Sequence, residues 1–152
     1  MKTISFILTA CIGLTGTNAW ADAANAQKLA DKYAQAGKMA DPAWPGPTVA
    51  EGKAFFSREV IQFKGDPKDP GKAIACASCH TANPADPGKH IVTGKPIKPL
   101  SPAVNAKRFS SLEEVEDKFA KHCNEVVGSD CTPQEKASYI TYLLTEKTPS
   151  KK

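Results

Sequence analysis

Apolar residues recur at helical spacing in four stretches of the chain. These stretches predict helices over Ala24–Lys38, from Val49 to about Ile61, from Ser110 or Ser111 to Cys123, and from Thr132 onward. The second and the last begin with Thr-x-x-Glu, the capping-box pattern in which both side chains accept backbone N–H groups that the helix leaves free. The last helix carries an apolar stripe, which consists of Ala137, Tyr139, Ile140, Leu143 and Leu144.

The stretch between Thr81 and Asn105 has no helical pattern. Prolines recur in it at positions 84, 87, 96, 99 and 102, and each removes a backbone donor and disfavours the helical conformation of the residue before it. We therefore expect an extended strap, and an all-α fold with long Pro-rich connections.

The first 21 residues have the pattern of a cleavable export signal. Lys2 precedes an apolar run that is too short to cross a bilayer as a helix, and Ala19-Trp20-Ala21 places small residues where a signal peptidase cleaves. Cleavage is expected before Asp22, with the mature protein in the bacterial periplasm. Leu8-Thr9-Ala10-Cys11 resembles a lipoprotein box, but it comes too early in the apolar run. No later segment is apolar enough to span a membrane.

The remaining chain has the length of one domain. Residues 22–48 are predicted as a helix and a Pro-rich linker, 49–147 as the main domain and 148–152 as a flexible basic tail. The formal charge of +4 falls by one when Lys2 is removed, and lysines alternate with acidic residues, which argues against a nucleic-acid-binding protein. Only 7% of residues are aromatic and twelve are proline, so the core is thin for this length unless a bound group adds apolar mass.

Residues 76–80 read CASCH, the attachment signature of c-type haem. Cys76 and Cys79 would bond covalently to one haem, and His80 would be the proximal iron ligand. A zinc site would need about two further ligands at matched spacing, and a thioredoxin-like CxxC would need a βαβ setting. Neither context is evident in the sequence. We therefore predict one covalently bound haem c.

The other three cysteines are expected to serve different purposes. Cys11 leaves with the signal peptide, and Cys123 and Cys131 remain in a compartment where disulfides persist. Their pairing would close a short loop at the end of the third helix and stabilise the fold by roughly 2–3 kcal/mol. A redox-active pair is the alternative, although only strained or exposed bridges tend to be labile.

The ligand opposite His80 decides the chemistry of the iron. The two methionines are Met1 and Met39, so no methionine follows the CASCH motif. His122 falls on the apolar face of the third helix, because Leu112, Val115, Phe119 and His122 are spaced by 3, 4 and 3 residues. We expect His122 to bind the iron and Phe119 to contact the haem, the alternative being an ordinary core histidine. His90, in a Lys- and Pro-rich loop, fits a solvent-exposed histidine better than a ligand.

Several segments resemble the SHP-type monohaem cytochromes c, which are oxygen-binding relatives of the class I cytochromes c. They are CASCH, TGKPIKPLSP at 93–102, Lys107-Arg108-Phe109 and the block from His122 to Lys136. The resemblance implies a class I fold around one haem, in which Gly52 and Phe56 lie where two helices cross near Tyr139 or Leu143. Ordinary amphipathic helices without such a crossing are the alternative. The resemblance also implies a disulfide after the distal ligand, haem propionates held by Arg108 and Lys95 unless these are solvated surface charges, and a dihaem cytochrome c as electron donor.

The chain departs from that family at the distal ligand. His122 stands where the SHP-type proteins have an asparagine that leaves the iron on reduction and admits O₂, NO or CO. Asn124 lies two positions later, roughly 200° around a helix, and should point away from the iron. We therefore expect a carrier of single electrons rather than an enzyme, with a low potential for a cytochrome c. A haem protein that binds diatomic gases at an open site, and weak reduction of oxygen or nitrogen oxides, are the alternatives. Lys118 and Lys121 would steer an acidic redox partner or would simply be solvated.

Overall fold

The computed structural model describes residues 17–61 and 71–151, with side chains from residue 22 onward. The helices are α1 Thr17–Ala40, α2 Val49–Ser57, α3 Cys76–His80, α4 Leu112–His122 and α5 Pro133–Thr145. A π-helical turn over Cys123–Val127 continues α4. The strands form two antiparallel pairs, β1 Val60–Ile61 with β2 Ala73–Ile74 and β3 Gly88–Lys89 with β4 Pro96–Ile97.

The helices carry the fold, because each strand is only two residues long. This confirms the predicted helical class. The predicted signal peptide lies outside the described residues except for the backbone from Thr17 onward, which belongs to α1. Among the described residues, no helix is both long enough and apolar enough to cross a bilayer.

Helix α5 is the centre of the packing, and the backbones of α1 and α2 lie closely against it. The crossing of α2 with α5 depends on Gly52, since a Cβ atom there would lie 2.0 Å from the carbonyl oxygen of Ser138. Phe56 is buried beside it, with its ring 5.7 Å from that of Tyr142 and 6.2 Å from that of Tyr139. The crossing expected at Gly52 and Phe56 is present, and its tightest contact is with Ser138.

Three caps explain where helices begin. Thr48 accepts a hydrogen bond from the Glu51 N–H, Ser111 accepts one from Glu114, and Thr132 accepts one from Glu135. Only the last forms the full capping box, because the Glu135 carboxylate also accepts from the Thr132 N–H at 2.9 Å. In α2 the Glu51 carboxylate instead accepts from the Ser138 hydroxyl, so it joins α2 to α5.

The predicted helix boundaries differ from the structure in three helices. Helix α2 ends at Ser57 rather than near Ile61, because Val60 and Ile61 pair with Ile74 and Ala73 as a short strand. The third helix does not stop at Cys123, since the chain continues as the π-helical turn to Val127. Helix α1 also extends beyond the predicted range of 24–38 at both ends.

The C-terminal segment, predicted as a flexible tail, is hydrogen-bonded to the strap. Asn83 donates to the carbonyl of Thr148 and to the hydroxyl of Ser150, and the Ser150 N–H donates to the Asp86 carboxylate. These contacts tie the end of the chain to the segment that follows CASCH.

Candidate functional site

A cavity of about 330 Å³ lies between α3, the strap, α4 and α5. This is within the usual range for small-molecule and cofactor sites, about 300–1,000 Å³. Its apolar walls include Phe55, Ile74, Ile91, Val92, Ile97, Phe109, Val115, Phe119, Val126, Val127, Tyr139 and Leu143. Its polar and sulfur-containing side chains include Cys76, Cys79, His80, His90, Arg108, Lys118, Lys121 and His122. The cavity thus brings together most of the residues to which the sequence assigned chemistry.

The CASCH motif forms α3, a helix of five residues. Ser78 holds its first turn, because the Ser78 hydroxyl accepts the Ala75 N–H at 3.0 Å. The strap lies directly against the end of the motif at Gly88, where a Cβ atom would be 2.2 Å from the carbonyl oxygen of Cys79. Only glycine allows this approach. The close packing fixes the backbone that carries Cys79 and His80 on one wall of the cavity.

Burial controls the protonation of this wall. Burial, with smaller contributions from the neighbouring Arg108 and His122, lowers the pKa of His80 to about 4. The imidazole is therefore neutral at physiological pH, the form that binds a metal. Burial also raises the pKa of the Cys76 thiol to about 11. Cys76 and Cys79 are not joined to each other, so both sulfurs are free for thioether bonds.

Helix α4 brings His122 to the same cavity. The Nδ1 atom of His122 lies 2.8 Å from the carbonyl oxygen of Lys118, one turn earlier. A carbonyl can only accept, so Nδ1 carries a proton, and in the neutral imidazole the lone pair is on Nε2. A hydrogen bond of this kind commonly orients a metal-bound histidine and fixes its tautomer. The contact with Lys118 thus leaves Nε2 of His122 available to bind a metal.

The chain just after His122 is held by a disulfide. Cys123 and Cys131 are bonded, with Cα atoms 5.5 Å apart, and the π-helical turn lies inside the loop they close. Both are buried, with exposures of 4% and 6%, which favours a structural bridge over a labile one. Asn124 donates to the Ala120 carbonyl and to the Asp130 carboxylate, and it does not line the cavity. Its expected direction, away from the site, matches these contacts.

The other predicted site residues divide into two groups. Arg108, Phe119, Lys118 and Lys121 line the cavity, as does His90. Lys95 does not; it lies exposed in the turn between β3 and β4, where its carbonyl accepts the His90 N–H. Its assignment to a propionate stays a prediction.

Some cavity residues were not identified as site residues from the sequence. Tyr139 was assigned to the core stripe of α5, yet it is only partly buried and faces the cavity with Phe55. Ile91 and Val92 belong to a loop whose sequence has no periodicity, so nothing in the sequence indicated that they line the cavity. Leu112, predicted on the apolar face with Phe119, is instead exposed. Its position one residue after the cap of α4 places it before the helix reaches the cavity.

The alternatives for CASCH lack the residues they need. Among the described residues, no group of three or more His, Cys, Asp and Glu side chains is arranged to hold a metal ion. The strands near the motif are two-residue antiparallel pairs and do not form the βαβ unit of a thioredoxin. A porphyrin supplies four ligands to its iron itself. The two cysteines, the histidines that line the same cavity and the apolar walls therefore fit a haem better than a zinc ion.

Comparison with known proteins identifies the family. Residues 42–143 match the family described as "Domain of unknown function (DUF1924)". Over 139 residues the chain is 51% identical to cytochrome c'' of Methylophilus methylotrophus, covering 91% of this chain and 92% of that protein. Over 133 residues it is 35% identical to the cytochrome c-type protein SHP of Cereibacter sphaeroides, covering 88% and 92%. The chain belongs to the DUF1924 family of cytochrome c''- and SHP-like proteins.

Solved structures agree with this assignment. The crystal structure of oxidized cytochrome c'' matches with a TM-score of 0.76 at 51% identity, covering 85% of this chain and 100% of that one. The solution structure of cytochrome c'' matches with a TM-score of 0.73 at 52% identity, covering 86% and 100%. Oxidized SHP matches with a TM-score of 0.62 at 31% identity, covering 78% and 94%. The protein is a monohaem c-type cytochrome, which confirms the predicted cofactor and the predicted resemblance to SHP-type proteins.

Proposed function

We propose that the protein transfers single electrons through a haem iron ligated by His80 and His122. The observation that carries the proposal is the pair of histidines on the walls of one cavity, with Nε2 of His122 free to bind because Nδ1 donates to Lys118. The haem supplies reversible one-electron redox chemistry when bound. Cys76 and Cys79 would hold it covalently, His80 would bind its iron, and Phe119 and Tyr139 would exclude water from the cavity.

Charge at the cavity supports the same proposal. Arg108 is half-buried in the lining and its positive charge reaches His80, so it is suited to bind a haem propionate through charge-assisted hydrogen bonds. Lys118 and Lys121 lie at the exposed edge of the cavity. There they would steer an acidic redox partner, such as a dihaem cytochrome c, in the periplasm.

A second candidate function is the binding of diatomic gases at an open iron site. His122 is exposed and is the last residue of α4, immediately before the π-helical turn. A ligand at the end of a helix can leave the iron through a local change in that turn. The related structures support this candidate: SHP is described as an oxygen binding cytochrome c, and the solution structure of cytochrome c'' concerns haem-ligand detachment.

One experiment tests ligation and separates the two candidates. Optical spectra of the ferric and dithionite-reduced holoprotein would be recorded with and without carbon monoxide, for the wild type, His122→Ala and His90→Ala. We expect a low-spin ferric wild type, a high-spin His122→Ala variant and a His90→Ala variant like the wild type. A high-spin ferric wild type, or loss of the low-spin form in His90→Ala, would contradict ligation by His122.

The reduced state then decides between the functions. A low-spin ferrous spectrum that carbon monoxide does not change supports electron transfer with both histidines bound. A high-spin ferrous spectrum that shifts with carbon monoxide supports an open site on reduction and the gas-binding candidate.

A further inference from the structure

Helix α4 is attached to the rest of the fold by few elements. The backbones of α1 and α2 pack closely on α5, whereas that of α4 closely approaches mainly its own π-helical continuation. The disulfide ties Cys123, the residue after His122 and the first of this continuation, to Cys131 just before α5. Away from this tie at its end, the tilt of α4 must be set by side-chain contacts along its length.

The main contacts of this kind converge on Glu116 and come from α1. The Tyr33 hydroxyl donates to one oxygen of the Glu116 carboxylate, and Lys32 Nζ lies 3.0 Å from the other. These residues are 83 and 84 positions apart in sequence. The cluster is thus a long-range tie between the N-terminal helix and the helix that carries His122.

Aromatic packing continues the tie toward the cavity. The Tyr33 ring meets the Phe119 ring edge-on at 5.8 Å, and Phe119 in turn meets Tyr139 at 5.7 Å. Lys136 of α5 lies over both the Tyr33 and Phe119 rings, at 5.1 and 5.4 Å from their centres. Phe119 and Tyr139 both line the cavity. Movement of α4 relative to α1 would therefore change the packing of side chains around the haem.

The start of α4 is also held by α1. Asn25 donates a hydrogen bond of 3.1 Å to the carbonyl of Phe109, shortly before the Ser111 cap. Glu116 lies six residues before His122, a rise of about 9 Å along a helix. A small rotation of α4 about its start would therefore displace the imidazole at its end.

We propose that α1 positions the distal ligand, with the Tyr33–Glu116 pair holding α4 at the tilt that keeps His122 on the iron. This rests on the proposed ligation by His122. Tyr33 and Glu116 are positioning residues, and neither of them lines the cavity. Loss of the tie gives α4 more freedom when His122 is off the iron, so the open form becomes more populated.

The open fraction can be measured directly. An external ligand such as cyanide or imidazole must displace His122, so its apparent affinity rises in proportion to the fraction of molecules with an open site. We would titrate ferric holoprotein with imidazole and measure the midpoint potential in wild type, Tyr33→Phe and Glu116→Gln. Tyr33→Phe keeps the ring that packs on Phe119 and removes only the hydroxyl.

We expect the apparent imidazole affinity to rise about three- to tenfold in both variants, the effect of a half-exposed hydrogen bond to a charged group. The midpoint potential should become more positive, because a lost imidazole ligand had stabilised ferric iron. The double variant should differ little from Glu116→Gln alone, because Glu116→Gln already disrupts the pair with Tyr33 as well as the ion pair with Lys32.

Two controls match the substitutions. Asp117→Asn neutralises an exposed carboxylate next to Glu116 on α4, and Tyr142→Phe removes a buried hydroxyl that faces Ala82 rather than α4. Neither should change the imidazole affinity or the potential. Equal changes in the controls, or unchanged values in Tyr33→Phe and Glu116→Gln, would overturn the inference.

The experiment also separates this inference from the proposed function. If the wild type is high-spin and binds imidazole as readily as His122→Ala, ligation by His122 has failed. If the wild type is low-spin and His122-dependent but Tyr33→Phe leaves its imidazole affinity unchanged, only the positioning role has failed.

Discussion

Thr81, the residue after the proposed proximal ligand, has a backbone conformation that threonine rarely adopts. Its φ of 62° and ψ of 173° place it in a region occupied essentially by glycine. Among the described residues it is the one non-glycine with positive φ. The conformation ends α3 directly after His80 and turns the chain into the strap, so strain is stored where the haem wall meets the loop that covers it.

Replacing Thr81 with glycine should therefore stabilise the holoprotein. Relief of the strain should stabilise the folded state by about 1–3 kcal/mol. Two effects oppose this gain: glycine has greater conformational freedom in the unfolded chain, and the hydrogen bond from the Thr81 hydroxyl to the Asn83 carbonyl is lost. We expect a net gain of about 1 kcal/mol in the free energy of unfolding, measured by guanidinium titration of the ferric protein. Ala82→Gly, at a neighbouring position with ordinary φ, should destabilise it. Equal destabilisation by both changes would exclude strain at Thr81.

At this scale the site was predicted best where its chemistry is local. The fixed spacing within CASCH predicts a site at Cys76, Cys79 and His80, and helical periodicity predicts that His122 lies on the apolar face of α4. Both signals are contained in residues that are close together in the sequence. Tyr33 and Glu116 were not found, because nothing in either segment signals a partner more than 80 residues away. Lys95 was predicted near the haem from its charge and the family resemblance, but it is exposed and does not line the cavity. A positive charge in a loop does not indicate which way the side chain points.

Gly52 controls the packing of elements rather than a local turn. It lies inside α2, where alanine would normally be favoured by about 1 kcal/mol. A Cβ atom there would meet the Ser138 carbonyl at 2.0 Å and Tyr142 Cβ at 2.7 Å, and both belong to the rigid face of α5. The helices would have to move apart, which opens the core around Phe56.

Gly52→Ala should consequently destabilise the protein despite its better helix propensity. Overpacking of this kind costs about 1–3 kcal/mol, and we expect a net loss of about 2 kcal/mol in the free energy of unfolding. Circular dichroism during guanidinium unfolding would measure it. Lys53→Ala, at the adjacent exposed position of α2, is the matched control and should change the stability by less than about 0.5 kcal/mol. A neutral or stabilising Gly52→Ala would show that the crossing can relax.

The first residues of the helices were predictable because an N-terminal cap depends on three or four consecutive residues, as at Thr48, Ser111 and Thr132. The last residues of the helices were harder to predict. Ser57 ends α2 because β1 pairs with a strand more than ten residues away, and the turn after α4 is wound as a π-helix inside the loop that Cys123 and Cys131 close. Both boundaries follow from tertiary contacts, which hydrophobic periodicity does not contain.

For the whole molecule, α1 is a long helix that contributes no residue to the lining of the haem cavity. It covers α5 on one side and reaches α4 through Asn25, Lys32 and Tyr33. The haem cavity therefore sits between a rigid wall, built from α3 and α5, and a wall on α4 whose position depends on α1. Electron transfer with fixed ligands and ligand release on reduction are two limits of the same arrangement, and they differ in how firmly α4 is held.

The tie between α1 and α4 should make stability depend on pH through Glu116. Partial burial by itself would raise the pKa of this carboxyl, but hydrogen bonds from Tyr33 and Lys32 and the positive charges of Lys32 and Lys136 outweigh burial and hold the pKa below its ordinary value. Burial and the neighbouring carboxylate raise the pKa of Tyr33, so its hydroxyl remains a donor. A carboxyl whose pKa is lower in the folded than in the unfolded protein stabilises the folded state at pH values above the unfolded pKa. This stabilisation is lost as the pH falls through the folded pKa.

Wild type and Glu116→Gln should accordingly differ in stability at about pH 7 and converge as the pH falls below the range in which a glutamate carboxyl ordinarily titrates. Protonation of Glu116 in the wild type removes the same charge that the substitution removes. Guanidinium unfolding of both proteins over this range would measure the difference, with Asp117→Asn as the control for loss of one negative charge on α4. Since α4 carries His122, the ferric low-spin fraction of the wild type should fall over the same acidic range, whereas that of Glu116→Gln should already be reduced at neutral pH and change less. A stability difference that is constant with pH would mean that the carboxylate acts through its shape and not its charge.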